Sequence, residues 1–208
     1  RSIMAISYPL QIPTVGITSI NWTNSVASVI SRSPFTFQGQ SQTYPGQIRY
    51  AQVSIENRNR DDAEEWVGFL NALNGCGGTF LMGDPLGIRP RRGSTTGVTV
   101  RGSGQSGSTL LVNTTQINEV NWASRGDWLQ IGAGSNSRLY KVTMPANTDS
   151  NGYASLEIWP SLRMTPTNGQ SIVMNNSKGL FRLSSGTFDY SEQDGCKYSL
   201  SFSCEEVI

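Results

Sequence analysis

Residues 59–85, NRDDAEEWVGFLNALNGCGGTFLMGDP, contain the clearest helical pattern in a chain whose other segments are strand-like. Apolar side chains recur there every three or four residues, which is the spacing of one face of an α-helix. One amphipathic helix in a strand-rich chain is expected to cover a face of a sheet. The expected core face of this helix consists of Ala63, Trp66, Val67, Leu70 and Leu73.

Both ends of this helix carry boundary signals. Asp61 is the expected N-cap, and Glu64, three residues later, has the position that completes a capping box. Carboxylates in the first turn also favour the positive end of the helix dipole, so a cap explains this acidic cluster better than catalysis does. The glycines from Gly75 onward are expected to end the helix, and TFLM at residues 79–82 predicts a strand directly after it.

The composition is typical of a turn-rich β protein. The chain has 208 residues, including 22 glycines, and only 15% of its residues are charged, which argues against a charged helical bundle. The formal net charge of +1 gives no electrostatic reason to expect nucleic acid as a sequence-specific partner. No apolar run approaches the ~20 residues that cross a bilayer, so membrane insertion is not expected.

The sequence offers no recognisable catalytic, cofactor-binding or metal-binding set of residues. It contains no histidine, which removes the usual general base. Cys76, Cys196 and Cys204 lie far apart and lack the spacing of a zinc site. We expect these cysteines to be buried free thiols rather than disulfides, and we expect the protein not to be an enzyme.

Alternation of apolar and polar residues predicts strands on both sides of the helix. Residues 48–55 alternate before it, and residues 196–208 show the most regular alternation in the chain. Nearer the N-terminus, residues 35–37 are interpreted as the start of a strand, and residues 44–46, Tyr-Pro-Gly, as a turn.

The middle of the chain predicts a separate small barrel. Short strand patterns, such as RLYKV at residues 138–142, recur there between turn signals. About five such strands suit an OB-like barrel. We therefore predict two domains: residues 1–92 plus 174–208 form one, and residues 93–173 form an inserted β-barrel.

Four aromatic residues of the predicted barrel are a candidate carbohydrate-binding surface. Aromatic rings can form such a platform, but in strands they more often pack in a core. The sequence leaves both interpretations open. The four residues are Trp122, Trp128, Tyr140 and Trp159.

The order of several segments resembles that of the distal tail proteins of long non-contractile-tailed phages, the siphoviruses, and of related gene transfer agents. These segments are DDAEEWVGFLNALNG, GTFLMGDP, a Pro/Arg/Gly-rich linker, RLYKV, LEIWPSLR and KGLFRL, followed by the alternating C-terminal strand. The resemblance covers nearly the whole chain and depends on order and spacing. It implies a mainly β fold, with a tail-tube-like β-sandwich flanked by one α-helix and a small OB-like β-barrel domain inserted into it.

The resemblance also implies a structural role in the virion. Distal tail proteins form a hexameric ring that joins the tail tube to the tail-tip hub, and DNA passes through the lumen of the ring. The expected partners are other copies of the chain, the tail tube protein, the hub protein and the tape measure protein. The expected location is the tail tip of the virion, after assembly in the host cytoplasm. Two alternatives stay open: another minor tail or baseplate protein, and a carbohydrate-binding module that recognises the host.

Overall fold

The computed structural model describes residues 6–13, 16–92, 97–193 and 197–208. Within these ranges the protein has one α-helix and thirteen β-strands. Their bounds are β1 Leu10–Gln11, β2 Ser19–Arg32, β3 Gly39–Arg58, α1 Arg60–Ala72, β4 Thr79–Met82, β5 Thr99–Val100, β6 Thr109–Asn113, β7 Trp128–Ile131, β8 Arg138–Val142, β9 Tyr153–Trp159, β10 Ile172–Val173, β11 Gly179–Leu183, β12 Asp189–Gln193 and β13 Lys197–Glu206.

The first sheet has seven strands and is covered by the helix. Its order is β1-β4-β11-β13-β3-β2, and β12 pairs with the part of β13 that β11 leaves unpaired. Helix α1 packs on this sheet through Trp66, whose ring centroid lies 5.7 Å from that of Phe69 and 5.9 Å from that of Phe202 on β13. Of the predicted core face, four residues are buried and Val67 is half-buried; the buried four are Ala63, Trp66, Leu70 and Leu73.

The start of the helix differs from the prediction. Asn59 is the N-cap, and its Oδ1 accepts a hydrogen bond from the backbone N–H of Asp62 at 2.9 Å. The predicted capping box of Asp61 and Glu64 is therefore wrong, because Asn59 supplies the same kind of acceptor two residues earlier. Asp61 lies in the first turn of the helix, and the Glu64 carboxylate is 3.9 Å from Arg60 Nε.

The second sheet is a nearly closed barrel of six strands. Its order is β10-β7-β8-β9-β6-β5. The barrel closes between its two end strands, because Val100 N donates to Gln170 O and Ile172 N donates to Val98 O, each at 2.9 Å. An OB-fold has five strands, so this barrel has one more than the sequence predicts. Its core includes three leucines that are 0% exposed: Leu110, Leu129 and Leu156.

Strands β2 and β3 form a hairpin that is longer than the sequence indicates. Residues 35–37 lie at its tip and do not start a new strand. Residues 44–46 do not form a turn, because β3 continues through them. The chain accommodates Pro45 where the pairing register shifts between Val26 and Ser28, since a bulge removes the need for a ladder hydrogen bond from proline.

The structure confirms the predicted fold class. The protein is mainly β, with 45% strand, a helix flanking one sheet and a barrel-like second sheet. All barrel strands fall between Thr99 and Val173. The domain boundaries at residues 93 and 174 stay a prediction.

Candidate assembly surface

The outer part of the β2–β3 hairpin is the most exposed regular structure among the described residues. We define the arm as residues 28–43. Its two strands pair only with each other, whereas β13 begins to pair with β3 at Tyr50. Every residue of the arm except Ser33 is exposed. A two-stranded ribbon solvated on both faces buries little apolar surface, so this arm is expected to gain stability from a partner.

The tip of the arm is an ordered turn that presents two phenylalanines to solvent. Ser33 Oγ accepts hydrogen bonds from the N–H groups of Phe35 and Thr36, at 3.3 and 3.4 Å. Ser33 N donates to Gln38 O, and Phe37 N donates to Ser33 O, each at 3.0 Å. Phe35 is 91% exposed and Phe37 is 79% exposed.

Phe37 also has a backbone conformation that is uncommon for a bulky residue. Its φ of 56° lies in the left-handed region, which asparagine and glycine adopt far more readily. Strained positions of this kind tend to cluster at functional sites. The tip therefore holds two large apolar side chains outward in a fixed geometry, at some cost to the isolated chain.

The arm and the adjoining parts of both strands carry almost no charge. Residues 16–48 contain no acidic residue and one basic residue, Arg32. Val29 and Ile30 are 57% and 63% exposed on the same arm. The cores of protein interfaces are poor in charged residues and rich in aromatic ones, because burying an unpaired charge is costly. The arm can therefore be buried against another protein at little electrostatic cost.

Arg49, at the base of the hairpin on β3, is buried between the first sheet and the barrel. Its guanidinium carbon lies 4.7 Å from the ring centroid of Trp128 and 4.9 Å from that of Trp159. Its Nη1 donates to Leu139 O at 3.0 Å, and its Nε donates to Asn24 Oδ1 at 3.3 Å. Burial lowers the pKa of Arg49 from 12.5 to about 10, so the guanidinium is still charged at neutral pH.

A second connection runs from the hairpin base to the barrel through Arg163, in the segment that follows β9. Arg163 Nη2 donates to Gln47 O at 2.5 Å and to Glu206 Oε2 at 3.3 Å. The side chains of this ion pair are 10% and 1% exposed. Ser161 N also donates to Gln47 Oε1 at 2.7 Å. Because buried, hydrogen-bonded charges tolerate little displacement, these contacts fix the barrel relative to the base of the hairpin.

Of the two interpretations of the four aromatic residues, the structure favours core packing over a carbohydrate-binding surface. Trp122, Trp128 and Tyr140 are 2%, 5% and 1% exposed, so their ring faces are not presented to a sugar. Trp122 and Tyr140 pack in the barrel core, while Trp128 packs at the junction with the first sheet. Trp159 is half-buried, with Arg49 over its ring. The four side chains therefore pack in two different places, the barrel core and the junction with the first sheet.

The prediction of buried free thiols holds for Cys204 but not for Cys76. Cys204 is buried and free, and burial raises the pKa of its thiol to about 12. Cys76 is free but exposed, because it lies in the short 3-10 turn that follows α1. Cys196 lies outside the described residues.

In the described part of the chain, no group of three or more histidine, cysteine, aspartate or glutamate side chains is placed to hold a metal ion. No helix in these ranges is both long enough and apolar enough to cross a membrane.

Sequence reasoning missed the arm, although two signals for it exist. One is the absence of carboxylates from residues 16–48, beside a helix that begins with several. The other is the Phe-Thr-Phe sequence at residues 35–37, which would be costly to expose without a partner. Both signals are typical of a surface that binds another protein. Residue patterns of catalytic sites do not include them.

Comparison with protein families gives a match to the barrel. Residues 88–177 match the family described as distal tail protein pb9, B domain. The matched range contains all six strands of the barrel. This match confirms the resemblance to the phage distal tail proteins and supports a structural role in a phage tail. A comparison with curated proteins found no match.

Proposed function

We propose that this chain, whose residues 88–177 match a distal tail protein domain, forms a hexameric ring at the tip of a siphovirus tail. The ring connects the tail tube to the tail-tip hub, and its lumen lets DNA pass. Its partners are the tube protein, the hub protein and the tape measure protein. The role is structural and not enzymatic. The family match of the barrel is the observation that carries this proposal.

The arm provides the contact between neighbouring copies in this ring. Burying a phenylalanine side chain contributes ~1.5–3 kcal/mol, so the two at the tip supply a large share of a subunit contact. The arm contacts a different surface of its neighbour, because a head-to-tail arrangement can close into a ring. The near absence of charge in the hairpin favours this role over a freely solvated loop.

Negative-stain electron microscopy and light scattering of the purified protein test the ring. The expected result is six-fold particles with a central hole and a mass six times that of the protomer. A protein that stays monomeric and binds neither purified tube protein nor hub protein would refute the proposed function.

A pair of variants tests the arm separately. Phe35→Ser combined with Phe37→Asn removes both apolar side chains, and asparagine tolerates the left-handed conformation of position 37. This double variant is expected to give monomers whose circular-dichroism spectrum matches that of the parent chain, which shows that the fold is kept. The matched control is Leu86→Ser, since Leu86 is 96% exposed and lies outside the arm. Rings that persist in the double variant would show that the arm is not the contact.

The second candidate, another minor tail or baseplate protein, differs from the first only in its position. A cryo-EM map of the intact particle separates the two, because a distal tail protein lies between the last tube ring and the hub. The third candidate, a carbohydrate-binding module, lacks an exposed aromatic surface, since three of the four candidate aromatic residues are buried.

A further inference from the structure

A cavity at one mouth of the barrel has no assigned role. It lies beside the turn between β7 and β8 and has a volume of about 240 Å³. Barrel mouths are frequent ligand sites, and ~300–1,000 Å³ is usual for drug-sized molecules, so this cavity suits a smaller one. Residues that line it include Ala133, Arg138, Tyr140, Met164, Pro166 and Gln170.

Contacts within the protein hold the turn at this mouth in shape. Gly132 has a φ of 84°, and a Cβ atom at this position would lie 2.2 Å from Asn136 O. Arg138 Nη1 donates to Ser135 O and Ser137 O, each at 3.1 Å, which anchors the guanidinium to the same turn. The cavity is therefore preformed, and little ordering is needed on binding.

One guanidinium nitrogen of Arg138 is available to an occupant of the cavity. Its Nη1 is bonded to the turn and its Nε has almost no solvent-accessible surface, which leaves Nη2. Among the described residues, no carboxylate lies within ion-pair distance of its guanidinium; the recorded pairs involve Arg60, Arg91, Arg163 and Arg182. The guanidinium is partly buried and is bonded only to neutral carbonyl oxygens, so its positive charge is not neutralised by the protein. Arg138 therefore favours an anionic occupant.

Tyr140 adds a second donor in the same cavity. Its Oη accepts the N–H of Arg163 at 3.1 Å, which leaves the hydroxyl hydrogen free to donate. A guanidinium and a hydroxyl match the two oxygens of a carboxylate. The apolar wall of Met164 and Pro166 suits a carbon skeleton. These features distinguish an organic acid from an inorganic anion.

We propose that the barrel mouth binds a small organic carboxylate, with Arg138 and Tyr140 as the donors to its oxygens. Such a group can come from an acidic monosaccharide or from a simple carboxylic acid. The site is separate from the arm and does not depend on ring assembly.

Saturation-transfer NMR of the full chain tests this site with glucuronate, glucose and propionate as probes. Inorganic phosphate has no carbon-bound hydrogen, so its binding is measured by its displacement of the propionate signal. Glucuronate or propionate is expected to bind, while glucose and phosphate are not. Tighter binding of glucuronate than of propionate identifies an acidic sugar as the source, and equal binding identifies a simple acid. Absence of binding by both carboxylates at ~10 mM, or stronger binding of phosphate, would overturn the proposal.

Three variants locate the binding. Arg138→Gln is expected to weaken carboxylate binding at least about tenfold, because a charged hydrogen bond is lost. Arg125→Gln is the matched control, since it removes an exposed arginine of the same barrel that does not line the cavity. Ala133→Phe fills the exposed rim without changing the core and is also expected to block binding. Carboxylate binding that survives both Arg138→Gln and Ala133→Phe would place it elsewhere.

Discussion

Replacing Arg49 separates the role of its charge from that of its volume. The lowered pKa, from 12.5 to about 10, means that keeping the charge buried costs about 3 kcal/mol of folding free energy. The hydrogen bond to Leu139 O recovers about 2 kcal/mol, and the two contacts with Trp128 and Trp159 recover about 1 kcal/mol each. Burial of the charge therefore has little net effect on the free energy of unfolding, whereas the side chain fills space between two rings.

Substitution of Arg49 by methionine and by alanine is therefore expected to lower the free energy of unfolding by different amounts. Arg49→Met keeps most of the volume and is expected to change the free energy of unfolding by less than about 1.5 kcal/mol. Arg49→Ala leaves a cavity between the two tryptophans and is expected to cost about 2–5 kcal/mol. Urea unfolding at a fixed protomer concentration, followed by tryptophan fluorescence, measures both. Equal destabilisation by methionine and alanine would refute this reasoning, because the charge and its hydrogen bonds would then dominate.

Three further outcomes are expected. Asn59→Ala should lower the free energy of unfolding by about 1 kcal/mol, since the acceptor for the Asp62 N–H is lost, whereas Asp61→Ala should cost about half as much; urea titration of both variants checks this difference. The raised pKa of Cys204, about 12 against 9.0 unfolded, means that above pH 9 only the unfolded thiol ionises, so stability should fall with rising pH by up to about 1.4 kcal/mol per unit. Unfolding at pH 8 and 10 should show a smaller fall in Cys204→Ala than in the parent chain. Native alkylation followed by peptide mass spectrometry should label Cys76 and spare Cys204, because only the first thiol is exposed.

Local periodicity was enough to predict much of the fold. The helix face around Trp66 and Leu70 could be located because helical spacing and burial coincide there. The strands at residues 79–82 and 138–142 were found because short apolar runs end at clear turn signals. The local sequence alone reveals these elements, although β4 pairs with the distant strand β11.

The hairpin and the aromatic residues could not be predicted in the same way. A Tyr-Pro-Gly sequence normally marks a turn, and only the register shift opposite Val26 and Ser28 reveals that the strand continues. Trp128 packs on Trp22, with ring centroids 5.5 Å apart, although the two are distant in sequence. Arg49 has no sequence signal for burial, because its partners are carbonyl oxygens and rings from the barrel.

The position of Gln47 and Arg49 has a consequence for the proposed ring. Both residues lie on β3, the strand that also forms one side of the arm. Gln47 binds Arg163 and Ser161, and Arg49 lies between Trp128 and Trp159. One continuous strand therefore carries one side of the proposed contact surface for a neighbouring copy and the residues that contact the barrel. If the arm sets the rotation between neighbouring copies, the same strand determines the direction in which each barrel points, and all barrels of a closed ring adopt equivalent orientations.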